Sequence, residues 1–287
     1  MTEGRYGLPI LHRYFSQIGY DDFDAALGQM IAASEDHSMC RIIGHPGSGK
    51  TTLLLEHHRH DPNSIYVAPT HDCRTKDLLI MMAARLDFDP GKGTTNQCIQ
   101  NFIAFLNHRG RNTTFLIDEA DHLCPPGGHL DQIDKLDTLR YIWDFTRMHT
   151  AFIFAAPYEL EARLQHSGSQ ISNSQFYRRC MIHPMTGMPD AASRQFLKQT
   201  EQEFHVHFDP SAELLLRKRI SAIERGGLGV TIAILKSCFA AVLPHWHDFK
   251  LMIENDIARA EALSVFEGQE TVTITGRIVE DAMALLR

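Results

Sequence analysis

The chain lacks the features that mark several protein classes. None of its apolar runs approaches the roughly 18 consecutive residues that a membrane span needs, and the first residues, Met-Thr-Glu-Gly-Arg-Tyr, lack the apolar core of a signal peptide. The 6 cysteines never form a C-x-x-C pair and lie mostly in apolar runs. These absences predict a cytoplasmic protein without a membrane partner, with reduced, buried thiols and no zinc site.

An excess of positive charge is also missing. The chain has 28 Lys and Arg against 35 Asp and Glu, which gives a net charge of −7. Such a balance argues against a protein that coats nucleic acid with its whole surface, although a local basic strip remains compatible with it. The length of 287 residues and the 44% hydrophobic content suit one large globular domain or a core with a smaller appendage. Internal repeats and low-complexity segments are absent.

The strongest motif lies between Ser38 and Leu55. Gly44, Gly49, Lys50 and Thr51 have the spacing of a P-loop, G-x-x-x-x-G-K-[ST]. A short apolar run precedes the motif and a run of good helix formers follows it, so that strand, Gly-rich loop and helix are predicted in the required order. In this motif the backbone N–H groups bind phosphate oxygens, the lysine reaches the β and γ phosphates, and the threonine holds Mg²⁺. A Gly-rich turn with an incidental lysine is the alternative.

Histidine is frequent, with 17 residues, and three of them follow the P-loop on the predicted helix. His57 and His60 share a helix face, but a solvated helix end is a better interpretation of this cluster than a metal site.

A second motif follows about seventy residues later. The run from Thr113 to Glu119 reads as a buried strand that ends in two acids, as in a Walker B motif. Asp118 would hold Mg²⁺ through its water shell, and Glu119 would polarise the attacking water. Two acids that cap the next helix are the alternative, which the upstream P-loop disfavours.

The remaining pattern predicts an α/β fold. Strands at 64–68 and 151–156 alternate with amphipathic helices, which implies a parallel sheet covered on both faces. After Thr186 the pattern is mainly helical, with predicted helices at 192–205, 210–225, 229–243, 253–265 and 275–286, and only 271–274 hints at an extended stretch. We therefore predict a helical segment over 1–35, a nucleotide-binding core over 36–186 and a helical lid over 187–287.

Together these motifs resemble an AAA+ ATPase and, more narrowly, the TniB/TnsC group of transposition ATPases, relatives of the Mu phage B protein. The resemblance spans roughly residues 20 to 245. The residues that carry it are the P-loop, the segments 69–78 and 92–94, the Walker B run 117–123 and the strand exit 154–160. It implies binding of ATP and Mg²⁺ by Gly44, His45, Pro46, Gly47, Ser48, Gly49, Lys50, Thr51, Thr52 and Asp118.

The same resemblance implies partners and an activity. A protein of this group would assemble as a ring or filament on duplex DNA without sequence preference, recruit a transposase and possibly a TniQ-type target-selection protein, and disassemble when ATP is hydrolysed. DNA contacts are expected at Lys76, Lys92, Thr94, Arg109 and Arg111, because residues 70–111 carry a small basic excess and loops near this region follow the DNA backbone in the resembled group. An ordinary solvated helix surface is the alternative. The alternatives are a non-hydrolysing nucleotide-bound scaffold and a helicase-loader or secretion-type ATPase.

Three positions depart from the resembled pattern. Ala156 stands where the family usually carries a polar sensor of the γ-phosphate, and Gly229-Val-Thr offers no arginine for a second sensor. The arginine finger, which neutralises charge on the transferred phosphoryl, is expected at Arg178 or Arg179, with Arg163 as the next candidate. Solvated surface arginines are the alternative for this pair.

Overall fold

The structure is a computed structural model that describes residues 14–15, 20–124, 134–166, 176, 178–225, 227–255 and 257–286. The sequence also predicts surface loops at 125–128 and 168–174. These two segments and the side chain of Arg163 lie outside the described residues. Contacts divide the described chain into two compact units. The sheet unit comprises residues 23–45 and 50–185, and the helical unit comprises residues up to 22, residues 46–49 and residues from 186 onward.

Among the described residues, the sheet unit contains five strands and six α-helices. The strands are β1 (Met39–Gly44), β2 (Ser64–Val67), β3 (Thr113–Ile117), β4 (Thr150–Ala156) and β5 (Cys180–Met185). The helices are α1 (Asp21–Glu35), α2 (Lys50–His60), α3 (Thr75–Ala84), α4 (Thr95–Arg109), α5 (Asp134–Thr146) and α6 (Tyr158–His166).

All strand pairs in the sheet unit are parallel, in the order β2-β3-β4-β1-β5. Every residue of the three central strands is buried, as expected for strands covered by helices on both faces. A stack of aromatic rings crosses the sheet on one face, with Phe115 and Phe152 5.2 Å apart and Phe102 and Phe154 on either side. The predicted α/β class with a parallel sheet is confirmed.

The helical unit has its own core. Its helices are α7 (Asp190–Phe204), α8 (Pro210–Ser221), α9 (Gly227–Val242), α10 (Trp246–Glu254), α11 (Arg259–Ala262) and α12 (Gly276–Leu285). Two short parallel strands, β6 (Val206–Phe208) and β7 (Val272–Ile274), pair beside them. Buried aromatic rings fill the centre, where Phe204 contacts Phe239, Phe249 and Phe266 at centroid distances of 4.9–5.4 Å.

Some element boundaries differ from those predicted. The helix expected over 253–265 is wrong, because α10 ends at Glu254 and a separate short helix begins at Arg259. Strand β5 was not predicted. It is an edge strand that is buried only at its two end residues, Cys180 and Met185, and Pro184, which cannot donate a ladder hydrogen bond, lies within it. Proline is tolerated there because β5 has a neighbour on one side only.

A buried ion pair joins the central strand β1 to helix α6. The Nη1 atom of Arg41 lies 3.0 Å from the Oε1 atom of Glu161, and the two side chains are 0% and 10% exposed. The Arg41 guanidinium also lies over the ring of Phe176, 5.6 Å from its centre. Burial raises the pKa of Glu161, and the charge of Arg41 opposes that shift. Each charge therefore depends on the other to remain buried.

We expect Glu161→Leu to lower the free energy of unfolding by about 3 kcal/mol, since it leaves the Arg41 charge buried without its carboxylate. The double variant Arg41→Met/Glu161→Leu removes both charges and should recover most of that loss. Urea denaturation of the two variants and the parent measures the difference. A double variant no more stable than Glu161→Leu would show that the pair does not act as a unit.

Candidate functional site

The two sequence motifs meet at one edge of the sheet because all five strands are parallel. Strand β4 lies between β1 and β3, and its register aligns Ile43 with Ala156 and Ile117 with Phe154. The ends of β1 and β3 are thus two strand spacings apart, about 10 Å. The carboxyl ends of strands are the usual ligand-binding edge of such sheets. The P-loop begins there at Gly44, and the acids of the second motif begin there at Asp118.

The loop after β1 has the backbone that its glycines allow. Gly47 and Gly49 adopt φ angles of 79° and 96°, in the region that favours glycine. Ser48, between them, is 4% exposed, and its Oγ has no hydrogen-bond partner among the described residues. A buried hydroxyl without a partner is costly. This loop therefore fits a phosphate group that would accept from its hydroxyl and its N–H groups.

Helix α2 begins directly after the loop. Lys50 and Thr51 are its first two residues, and both are half-buried, as is Thr52. The Lys50 ammonium donates to the carbonyl oxygens of Gly44 and His45, at 2.7 and 2.9 Å. Burial lowers the pKa of Lys50, while the carboxylates of Glu119 and Asp118 raise it. The ammonium thus lies over the loop at the helix N-terminus, where an anion is favoured.

Asp118 is held in place by two donors. Tyr66 on β2 donates its hydroxyl to the Oδ2 atom of Asp118 at 2.7 Å, and the N–H of Glu119 donates to Oδ1 at 3.0 Å. Burial, followed by the charge of Asp118, raises the pKa of Tyr66, so the hydroxyl keeps its proton and remains a donor. The sequence analysis did not identify Tyr66. Tyr66 lies one residue before the end of β2. Its contact with Asp118 can be inferred only once β2 is known to pair with β3.

Glu119 has a strained backbone. Its φ and ψ angles are 48° and 44°, a left-handed conformation that costs a residue with a side chain about 1–2 kcal/mol. Glu119 is exposed, unlike the buried Asp118. Burial, then the neighbouring carboxylates of Asp118 and Asp121, raises the pKa of Glu119. A raised pKa makes the carboxylate a better proton acceptor near neutral pH.

The sensor positions carry no polar side chain. Ala156 ends β4 beside Ile43 and is buried. Gly229 belongs to the helical unit, in the first turn of α9, where a Cβ atom would lie 3.3 Å from the Cα of Gly47. An arginine at 229 would therefore force these two backbones apart.

The two candidate finger arginines have different surroundings. Arg179 forms an ion pair with Asp144 of α5, and its guanidinium lies over the Trp143 ring. Arg178 is exposed and has no hydrogen-bond or ion-pair partner among the residues that the structure describes. Of this pair, Arg178 is the one available to a second molecule.

The five predicted DNA contacts fall into two groups. Lys76, Lys92 and Thr94 lie together near the start of α4, where the Lys76 ammonium donates to the carbonyl oxygen of Gly93 at 2.8 Å and Thr94 caps the helix. Arg109 and Arg111 lie at the other end of this 15-residue helix, about 21 Å away. These residues therefore do not form one continuous basic strip.

The histidines after the P-loop differ from the prediction in one respect. His57 is only 3% exposed and its Nε2 lies 3.0 Å from the Ser34 hydroxyl, so a solvated helix end is wrong for this residue. His60 is exposed and pairs with Glu56. Each of the six cysteines is free, and all but Cys124 are buried.

Comparisons with known proteins agree with this architecture. Residues 33–164 match the family model described as an AAA domain. The fold is that of an AAA+ P-loop ATPase core. The structure is similar to Cdc6p of Pyrobaculum aerophilum, with a TM-score of 0.62, 12% identity, and coverage of 97% of this chain and 88% of that one. No curated protein sequence matches the chain.

Two further solved structures are similar over most of the chain. The ADP form of ORC2 from Aeropyrum pernix has a TM-score of 0.63 and 14% identity, with 96% of this chain and 71% of that chain covered. ORC1 of the same organism, in complex with DNA, has a TM-score of 0.59 and 14% identity, with 98% and 69% covered. At such identities the likeness shows the fold alone. No helix among the described residues is long and apolar enough to cross a membrane.

Glycine at position 119 removes the strain of the left-handed backbone. We expect Glu119→Gly to raise the free energy of unfolding by about 0.5–1 kcal/mol in nucleotide-free protein, because glycine adopts this conformation without a Cβ clash. Glu119→Gln is the matched control, since it removes the same charge and keeps the side chain. Urea denaturation compares them, and a glycine variant no more stable than the glutamine variant would contradict the strain.

Proposed function

We propose that this chain is an ATP-dependent switch that assembles on duplex DNA, and specifically a transposition regulator of the TniB/TnsC group. The observation that carries the proposal is the meeting of the P-loop with Asp118 and Glu119 at one sheet edge. In the proposed cycle, ATP favours assembly on DNA, the assembly recruits a transposase, and hydrolysis releases it. A TniQ-type protein is a further candidate partner. The assembly would be a homo-oligomeric ring or filament.

The residues at the sheet edge suit binding and hydrolysis of Mg²⁺-ATP. Lys50 would turn from the carbonyls of Gly44 and His45 to the β and γ phosphates, and Thr51 with Asp118 would hold Mg²⁺, which supplies charge neutralisation at the phosphates. Tyr66 keeps the Asp118 carboxylate oriented through its hydrogen bond. Glu119, with its raised pKa, would accept the proton of the attacking water.

Contacts to the DNA backbone are proposed at the start of α4. Lys92 is exposed in a turn where Gly91 adopts a φ angle of 91°, and the neighbouring Gly93 also lacks a side chain, so a phosphate can approach the backbone closely. The Thr94 side chain caps α4. The N-terminus of this helix therefore lies beside Lys92. The DNA complex of Aeropyrum pernix ORC1 supports a DNA-bound role for this fold.

A scaffold that binds nucleotide without turnover is the second candidate, because Ala156 replaces the expected polar sensor. Phosphate release with and without DNA separates the two. A helicase loader or secretion-type ATPase with the same core is the third candidate, and capture of a replicative helicase would favour it. The division into 1–35, 36–186 and a lid over 187–287 stays part of the proposal.

Lys92→Ala should weaken ATP-dependent binding to unrelated duplexes by the same factor, at least about threefold, and reduce the slope of affinity against salt. Arg147→Ala is the matched control, since Arg147 is also exposed but is not among the predicted DNA contacts, and it should leave the affinity unchanged. Fluorescence anisotropy over a salt series measures both, with Lys50→Ala as the variant that cannot use ATP. Failure of the parent to bind duplex DNA with ATP at low salt would overturn the proposed function.

Arg178→Ala should lower hydrolysis at least about tenfold and leave nucleotide affinity unchanged, because a finger acts on the pocket of a neighbouring subunit. Arg179→Ala is the comparison, and it should lower hydrolysis less since Arg179 binds Asp144 of its own chain. Mixing Arg178→Ala with Lys50→Ala protein should restore part of the activity. Unchanged hydrolysis in Arg178→Ala, without rescue on mixing, would move the finger elsewhere.

A further inference from the structure

Three side chains after the Walker B strand can converge on one metal ion. Glu119, Asp121 and His122 each offer one ligand atom, and these atoms lie within 4.8 Å of one another, the one such group among the described residues. Ligands of a bound Zn²⁺ are about 3.3 Å apart, given metal–ligand distances of about 2.0–2.1 Å. The exposed Glu119 side chain is free to move the additional distance.

The local backbone brings these residues to one side. Ala120–Leu123 form a turn of 3₁₀-helix, and the N–H of His122 donates to the carbonyl of Glu119 at 3.0 Å. Glu119, with its left-handed backbone, lies directly before this turn. The hydrogen bond closes the turn between Glu119 and His122, and their ligand atoms lie within 4.8 Å of each other.

The His122 ring is oriented from outside the cluster. Its Nδ1 atom lies 2.8 Å from the carbonyl oxygen of Pro69. A carbonyl only accepts, so Nδ1 carries the proton and Nε2 keeps its lone pair for a metal. Histidines that bind metals usually donate their second ring nitrogen to a carbonyl or carboxylate in this way. Asp121 adds a buried Oδ1 atom without a hydrogen-bond partner among the described residues.

We propose, in contrast to the prediction of no zinc site that the cysteines gave, that Glu119, Asp121 and His122 form a site for a divalent transition ion of the Zn²⁺ class, distinct from the Mg²⁺ that Thr51 and Asp118 would hold. One imidazole nitrogen with two carboxylate oxygens suits Zn²⁺, whereas Mg²⁺ selects oxygen ligands alone. Three protein ligands leave a position open for water. The ion would also neutralise part of the negative charge that Asp118, Glu119 and Asp121 bring together.

Regulation of ATP hydrolysis follows because one metal ligand, Glu119, is also the proposed proton acceptor. This step rests on the proposed function. A Glu119 carboxylate that binds Zn²⁺ through its lone pair is not available to accept a proton from water. Asp118 and Tyr66 lie outside the cluster, so nucleotide binding would persist. Zn²⁺ would thus act as an inhibitor of hydrolysis that holds the assembly in its ATP-bound form.

The test measures metal binding on the nucleotide-free full chain by calorimetry with Zn²⁺ and by the visible spectrum of added Co²⁺. We expect one site per chain, which excess Mg²⁺ does not displace. His122→Gln should weaken Zn²⁺ binding at least about tenfold, and Asp121→Asn should weaken it as well. His60→Gln is the matched control because exposed His60 also pairs with a carboxylate, Glu56, and it should leave the affinity unchanged.

Circular dichroism melts of each variant check that the fold is kept. Equal affinity in His122→Gln and the parent, or an equal loss in His60→Gln, would overturn the site. The regulatory step is measured separately, as Zn²⁺ inhibition of phosphate release with each variant compared with its own metal-free rate. Inhibition in the parent that His122→Gln lacks supports regulation, and metal binding without inhibition overturns it. A chain that hydrolyses no ATP would contradict the proposed function and leave the metal-binding result standing.

Discussion

Hydrogen bonding of β4 to both β1 and β3 is the constraint on which the candidate site depends. Because all three strands are parallel and in register, Gly44 and Asp118 emerge at the same edge. About seventy residues separate these positions in the sequence, so no local interaction would bring them together. The helices that cover the sheet make each strand buried on both faces, and the polar groups of the site are therefore concentrated where the strands end.

The charges inside the sheet unit divide into paired and exposed ones. Arg41 is fully buried in β1, three residues before Gly44, and its partner Glu161 lies in the helix that follows β4. Removal of one member leaves a buried charge, whereas exposed pairs such as Arg59 with Glu56 contribute little. The strand that leads into the P-loop is thus tied to α6 by an interaction that the hydrophobic pattern does not reveal.

The parts of the site that were predictable from sequence are those within a short stretch of chain. The glycines, Lys50 and the paired acids have fixed spacing, and the buried strands have continuous apolar runs. Tyr66 could not be predicted, because its contact with Asp118 depends on β2 pairing with β3. Strand β5 was missed because it has no continuous apolar run, is buried only at its two ends, and contains Pro184. The break between α10 and α11 follows tertiary packing that helical periodicity does not record.

The five residues from Asp118 to His122 include three carboxylates and one imidazole. Asp118 is buried and held by two donors, while Glu119 turns outward through a left-handed backbone. That residue ends the extended strand and begins the 3₁₀-helix that carries Asp121 and His122. Two adjacent acids thus have different surroundings, because Asp118 is buried and hydrogen-bonded whereas Glu119 is exposed on a strained backbone. Under the proposed function, Asp118 would hold Mg²⁺ and Glu119 would accept a proton, so a metal ion bound by Glu119 and His122 would block the proton acceptor.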